Sequence, residues 1–323
     1  MQIGIMGAGA VGGHFAARLA RAGAAVSVVA RNDHLAAIQR DGLRLSVGEE
    51  TYHAQVAASD QAQDLGVQDV LVVSVKFFDL TAALEQAQPM IGPNTRVVFA
   101  MNGLPWWFPQ GTALEGDAAI QAQLDPGGQI AARLGVDRSI ACVVTAGGKR
   151  EEPGHIRNTT PHMNRIALGY CDGRQDETLS ALAHLAGLGG YSAEMSDNIR
   201  QDIWKKLIFN AGLAPVSTIA ERTAKQTCRD PETRALAHHL FGEIIAIGQA
   251  LGLSVQVNAD AILDPDNAPD HKPSFLQDLQ AGKRLEIQNG LLAVRTIARS
   301  LGVSAPHLDT VAALMAARSP IPV

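Results

Sequence analysis

Of 323 residues, 46% are hydrophobic and 18% charged, so the chain is globular, not disordered, and long enough for two domains with sizeable cores. A formal charge of −5 with no long basic run gives nucleic-acid binding no electrostatic support, and no apolar stretch is long enough to span a bilayer. Cys142, Cys171 and Cys228 are few, odd in number and far apart, which argues against a disulfide framework or a zinc site and fits a reducing cytoplasm.

The chain begins with an apolar run, Met1-Gln2-Ile3-Gly4-Ile5-Met6, and passes at once into Gly7-Ala8-Gly9-Ala10-Val11-Gly12. A helical pattern follows through His14, Phe15, Ala16, Ala17, Leu19 and Ala20. A strand, a tight glycine turn and a helix N-terminus together grip a dinucleotide pyrophosphate. In this reading Gly7 permits the turn, Gly9 lets the backbone approach the phosphates, and Gly12 lets the helix pack close to the strand. The unpaired N–H groups at the helix start then meet the anion. The alternative is a packing turn without a ligand. With strand and turn occupying the first residues, no room is left for a signal peptide, so a cytoplasmic location is expected.

The next strand, Ala25-Val26-Ser27-Val28-Val29-Ala30, ends at Arg31-Asn32. NAD sites usually place an acid there to hold the ribose 2′-OH. Arg31 stands there instead, and a guanidinium suits a 2′-phosphate through bidentate pairing. NADPH is therefore the expected cofactor. Asp33 lies close by, and a solvated charge at a strand end is the plainer reading of Arg31.

Further along, residues 69–75, 95–100 and 139–144 read as buried parallel strands, with helical patterns between them. This alternation implies a doubly wound sheet. Two short β-like runs follow at 155–158 and 165–169. From about Thr178 the pattern turns helical, over 178–187, 197–213, 231–251, 274–281 and 283–301. The expected organisation is a Rossmann-type α/β domain over residues 1–175 with a parallel sheet, then an all-helical domain over 176–323 that handles substrate and catalysis.

Two clusters in the helical part carry chemistry. In Trp204-Lys205-Lys206-Leu207-Ile208-Phe209-Asn210, Lys206 and Asn210 are spaced i, i+4 and share a helix face. A lysine of lowered pKa can give a proton to a carbonyl oxygen as hydride reaches its carbon; two solvated lysines on an amphipathic helix are the bland alternative. In the segment from His271 to Ile287, Ser274 after Pro273 looks like an N-cap, Asp278 lies in the helix's first turns, Gly282 ends or interrupts that helix, and Glu286 begins the next. On the residues alone, Ser274 is a cap and Glu286 a surface acid. His238 and His239 are adjacent and chelate poorly, no His-x-x-x-His pair exists, and Gly-x-Ser-x-Gly is absent, so neither a metal site nor a hydrolase elbow has support.

Taken with the glycine turn, Arg31, Lys76 after the third strand and Asn102-Gly103, these clusters make the chain resemble the ketopantoate reductase (2-dehydropantoate 2-reductase) family over nearly its whole length. The resemblance implies reduction of a 2-oxo acid to a 2-hydroxy acid by NADPH, ketopantoate to pantoate in pantothenate biosynthesis, in a cleft between the domains. It implies Lys206 as the proton donor, Glu286 as acceptor from the forming hydroxyl and Asn210 as an orienting group. Ser274 would hold the substrate carboxylate, Asp278 would belong to the substrate-binding set, Asn102 would position substrate and nicotinamide, and Lys76 would serve the cofactor phosphates or ribose. Lys205 is the rival to Lys206. The family often forms dimers, so a homodimer is an expected assembly.

Two departures bear on the substrate. Where family members commonly carry a second Asn, this chain has Ala214 before Pro215. Asn102-Gly103 is followed by Trp106-Trp107-Phe108 in a long stretch to about Leu134, read either as a wall for a bulkier oxo substrate or as simple packing of a loop. The competing readings are thus a same-fold reductase for a bulkier substrate and a non-catalytic NADPH sensor, the latter disfavoured because sensing needs only the first domain.

Overall fold

The strands of the first half arise from runs of Ile, Val and Leu that are apolar on both faces, which suits a sheet covered on two sides. The computed structural model describes residues 1–322. Its strands are β1 Gln2–Met6, β2 Ala25–Val29, β3 Leu43–Val47, β4 Glu50–Ala54, β5 Ala57–Ser59, β6 Gln68–Val73, β7 Ile91–Phe99, β8 Ser139–Thr145, β9 Gly148–Glu152, β10 His155–Asn158, β11 Arg165–Tyr170 and β12 Ser192–Met195. Eight form one sheet in the order β12-β11-β8-β7-β6-β1-β2-β5. Neighbours from β5 to β8 pair in parallel, and β11 meets β8 antiparallel. The chain runs outward from β1 through β2 and then returns to β6 on β1's other side. This reversal of strand order puts a topological switch at the carboxyl ends of β1 and β6, where α/β sheets of this kind bind ligands. Ile3, Ile5, Val28, Val70 and Val72 are fully or almost fully buried at the sheet's centre, with Phe15 and Leu19 of the helix Ala10–Arg21 packed in the same core. A smaller sheet, β4-β3-β10-β9, completes this part.

The chain forms two compact units: residues 1–101 with 129–199, and residues 102–128 with 200–323. These units do not follow a single cut at residue 175. The helix Glu177–Leu188 and strand β12 belong with the sheet, because Leu179, Leu182 and Ala186 bury themselves in its core and β12 pairs with β11. Ser192-Ala193-Glu194-Met195 has no β-branched residue, which is why no strand is legible there.

The second unit is built on the long helix Ile199–Ile219, the helix Pro231–Ala250 and the C-terminal helices Ala293–Ser300 and Pro306–Arg318. The stretch after Gly103 is not one long loop. It contains the helix Ala118–Leu124 and packs into this unit. Trp107 and Phe108 are fully buried and Trp106 nearly so. Phe108 stacks on Trp204 at 5.8 Å, and the Arg200 guanidinium lies 5.4 Å from the Trp107 ring while its Nε donates to the Phe108 carbonyl. Of the two readings of these aromatics, packing is the one the structure shows. The expected helix over 283–301 is also interrupted: a π-helical turn, Gln288–Leu292, precedes the helix Ala293–Ser300.

Candidate functional site

In the first unit, the glycine turn closes over the end of β6. Gly7 has φ +95°, a conformation that L side chains rarely adopt. A Cβ on Gly12 would stand 2.0 Å from the Gly7 carbonyl oxygen and 2.2 Å from Ser74 Oγ. Ser74 explains that closeness, since its hydroxyl donates to the Gly7 carbonyl at 2.7 Å and its N–H donates to the Met6 carbonyl. His34 holds the turn from the other side: Nε2–H donates to the Ala8 carbonyl at 2.7 Å, and Nδ1 accepts the Gly154 N–H at 2.9 Å. Both ring nitrogens are thus committed in the neutral form. Burial, the largest cause, holds the His34 pKa below its ordinary value, and Arg150 adds to this. Ser74 and His34 had no signature in the sequence, because their partners are 67 and 26 residues away.

The turn fits a dinucleotide. A Cβ on Gly9 would meet nothing within 4 Å, so the backbone is open there. The helix Ala10–Arg21 starts at Gly9 with no side-chain cap and no acid in its first turn, which leaves its N–H groups and the positive end of its dipole for an anion. Arg31 is exposed at the end of β2, as the N-cap residue of the helix Asn32–Asp41. Lys76 is half-buried just past β6, where it precedes a short 3₁₀ turn.

In the second unit, one pocket gathers Asn102, Gly103, Leu207, Asn210, Ala214, Ser274, Phe275, Glu286, Gly290 and Leu291. Four polar side chains from four separate segments line it: Asn102 after β7, Asn210 on the long helix, Ser274 at the start of the helix Ser274–Gln280, and Glu286 before the π turn. Leu207, Ala214, Phe275 and Leu291 supply apolar wall. Ser274 is not the cap it resembled. Pro273 takes the N-cap position and Ser274 makes no capping bond, so its hydroxyl is not committed to the helix end. Lys206 and Asp278 do not line the pocket. Lys206 is half-buried one turn before Asn210 on the same helix stripe; Asp278 is one turn beyond Ser274. Lys205 points to an exposed face, 3.8 Å from Asp202 in an i, i+3 pair. The structure thus separates the two adjacent lysines, which the sequence could rank only by spacing.

Asn289 is the residue that the sequence reading passed over. It is 2% exposed, and its Nδ2 donates to the Asn102 carbonyl at 2.8 Å. The Asn-Gly pair inside an apparent helical run was the available signal, since such pairs interrupt regular helix.

A Rossmann-type unit with an open glycine turn and a helical unit with a polar-lined pocket are the parts of a nicotinamide-dependent oxidoreductase. The comparisons with known proteins agree. Residues 3–173 match the family model described as ketopantoate reductase PanE/ApbA, and residues 198–319 match its C-terminal model. A 2-dehydropantoate 2-reductase of Mesorhizobium japonicum is 38% identical over 98% of this chain and 97% of its own length. The crystal structure of a candidate ketopantoate reductase from Ralstonia solanacearum MolK2 superposes with a TM-score of 0.89 at 37% identity, covering 98% of this chain and 97% of that one. D-mandelate dehydrogenase, in a ternary structure with NADH and anilino(oxo)acetate, shares the fold with a TM-score of 0.81 at 21% identity, covering 98% of each chain. This chain belongs to the ketopantoate reductase family. It is an oxidoreductase, and its family and fold imply a nicotinamide cofactor. Among the described residues, no helix is long and apolar enough to cross a membrane.

Proposed function

We propose that the protein is an NADPH-dependent 2-oxo acid reductase of the 2-dehydropantoate 2-reductase type, forming pantoate from ketopantoate for pantothenate biosynthesis. The observation that carries this reading is the pocket that unites Asn102, Asn210, Ser274 and Glu286, with Lys206 one turn away on the same helix stripe. When bound, the reduced nicotinamide supplies the hydride. The protein's residues do the rest. Ser274 donates its uncommitted hydroxyl to the substrate carboxylate. Asn102 and Asn210 orient the substrate through their amides, and Asn102 would also help position the nicotinamide. Lys206 delivers a proton to the C2 oxygen, and Glu286 accepts a hydrogen bond from the hydroxyl so formed. Gly7, Ala8, Gly9, Ala10, Val11 and Gly12 hold the pyrophosphate, Arg31 the 2′-phosphate, and Lys76 the phosphates or ribose. Asp278, one turn beyond Ser274 on the same helix, stands with Ser274 in the substrate-binding set.

A second reading keeps the reaction and changes the substrate. Ala214 with Leu207, Phe275 and Leu291 gives the pocket an apolar wall that offers no bond to a distal hydroxyl. One experiment separates the readings: loss of reduced-coenzyme absorbance, with NADPH or NADH, over a panel of ketopantoate and bulkier or more apolar 2-oxo acids. Highest kcat/KM with NADPH and ketopantoate supports the first reading. A preference for a bulkier acid supports the second, and no turnover of any 2-oxo acid ends both.

A further inference from the structure

We infer that Asn289 is a positioning residue that sets Asn102 against Glu286 in the pocket, and that the π turn exists to present it. This inference rests on the role given above to Asn102. Asn102 and Gly103 line the pocket, and so do Glu286, Gly290 and Leu291. Asn289 directly precedes Gly290 in the chain and grips the Asn102–Leu104 segment by its side chain. Its Nδ2 donates to the Asn102 carbonyl at 2.8 Å and to the Leu104 carbonyl at 3.4 Å. Its own carbonyl accepts the Leu104 N–H at 2.6 Å. Gly103 and Asn289 fit closely. Gly103 has φ +82°, and a Cβ there would stand 2.5 Å from Asn289 Nδ2 and 2.6 Å from the Asn289 carbonyl oxygen.

The π turn makes this clasp available. The Leu292 N–H reaches back to the Ile287 carbonyl at 2.9 Å, five residues instead of four. The Gln288 carbonyl, which an α-helix would have engaged with Leu292, instead accepts Gln123 Nε2 at 2.6 Å. Gln123 is fixed in turn by Thr296, whose hydroxyl donates to its Oε1 at 2.6 Å. Consecutive π-turn residues therefore hold two points of the 102–128 segment: Asn289 holds its start and Gln288, through Gln123, its helix. A widened turn inside a helix costs regular hydrogen bonding, and such turns concentrate at functional sites. Here the cost is offset by clasping the segment that carries Asn102. Side chains must be held to within a fraction of an ångström for an orienting amide to work, and a misplacement of about 1 Å costs on the order of 100-fold in rate.

The test pairs kinetics with amide exchange. Asn289→Ala is expected to lower kcat by roughly 10- to 100-fold while leaving coenzyme Kd within about two-fold. In the Asn102→Ala background the same change is expected to add almost nothing, because a positioning residue has nothing left to position. Hydrogen exchange on the coenzyme-free protein should show the Gly103 and Leu104 amides exchanging at least about ten-fold faster in Asn289→Ala, with the helix Ile199–Ile219 unchanged. Equal losses in both backgrounds, or unaltered exchange at 103–104, would overturn the inference. If Asn289→Ala does not fold, Asn289→Ser, which leaves a smaller void, takes its place with the same expectations. If the unmodified protein reduces no 2-oxo acid, the proposed function fails, while the exchange arm still decides whether Asn289 clasps the turn.

Discussion

Single side chains carry the specificity assigned to this protein. Arg31 is exposed at the end of β2, where a planar guanidinium can pair with a phosphate and an acid would pair with a ribose hydroxyl. Arg31→Ala is expected to weaken NADPH by about 10-fold or more, a loss of at least roughly 1.4 kcal/mol, and to leave NADH within about two-fold. Titrating both coenzymes by fluorescence checks this; equal weakening of the two would show that Arg31 does not read the 2′-phosphate. Of the candidate site residues, those that spacing or the family resemblance singled out sit in local motifs: Gly7 to Gly12, Lys206 with Asn210, Ser274 with Asp278 and Glu286. Ser74, His34 and Asn289 were not legible. Each acts on a backbone carbonyl far away in sequence, 187 residues in the case of Asn289, and no local pattern records such a pairing.

At the scale of elements, the strands legible in advance are the fully buried ones, whose unbroken apolar runs leave little choice of structure. The hairpin of β3 and β4 was missed although Leu43-Arg44-Leu45-Ser46-Val47 alternates and is followed by Gly48, a pattern that marks a hairpin. The helix expected over 283–301 failed for a different reason. Its periodicity is real, but Gly282 to Ile287 stay irregular and the π turn displaces the helix start to Ala293. Gly12 gives the sharpest prediction at this scale. Gly12→Ala places a methyl 2.0 Å from the Gly7 carbonyl oxygen and 2.2 Å from Ser74 Oγ, both part of a hydrogen-bonded turn that cannot yield without opening. The expected result is a coenzyme Kd raised by at least about ten-fold and a destabilisation of about 1–3 kcal/mol, typical of overpacking. Calorimetric titration and denaturant unfolding check the two; a variant that binds and unfolds like the parent would contradict the close packing.

At the scale of the whole molecule, acid stability depends on two buried histidines of the first unit. His14 accepts Arg18 Nε–H at 3.0 Å on Nε2 and meets the Tyr191 hydroxyl at 2.5 Å on Nδ1. Arg18 in turn donates to the Gly189 and Gly190 carbonyls, so this network ties the first helix to the far end of the unit. Burial, with the Arg18 guanidinium adding to it, lowers the His14 pKa from 6.5 to about 3. His34 is shifted in the same direction. A depressed pKa in the folded state means that the unfolded chain binds the proton first. The stability is therefore fully present above 6.5 and is lost as pH falls from there toward the folded value. For His14 alone the loss reaches about 2 kcal/mol by pH 5. Protonating folded His34 breaks its bond from Gly154, so coenzyme binding should weaken only at pH values below the ordinary histidine range. Urea unfolding between pH 7.5 and pH 5 checks the first point: the parent is expected to lose stability steeply and His14→Gln to show a shallower slope. An identical slope in the two proteins would remove His14 from the account.

The claim that joins these scales is that the ammonium of Lys206 protonates the substrate oxygen, with Lys205 a surface charge. Steady-state kinetics of Lys206→Ala, with coenzyme Kd measured alongside, tests it most directly. The expected result is a kcat reduced by about 10²- to 10⁴-fold with coenzyme affinity unchanged, and a near-parental rate for Lys205→Ala. A Lys206→Ala enzyme that turns over at the parental rate, or that loses coenzyme affinity as much as rate, would contradict it.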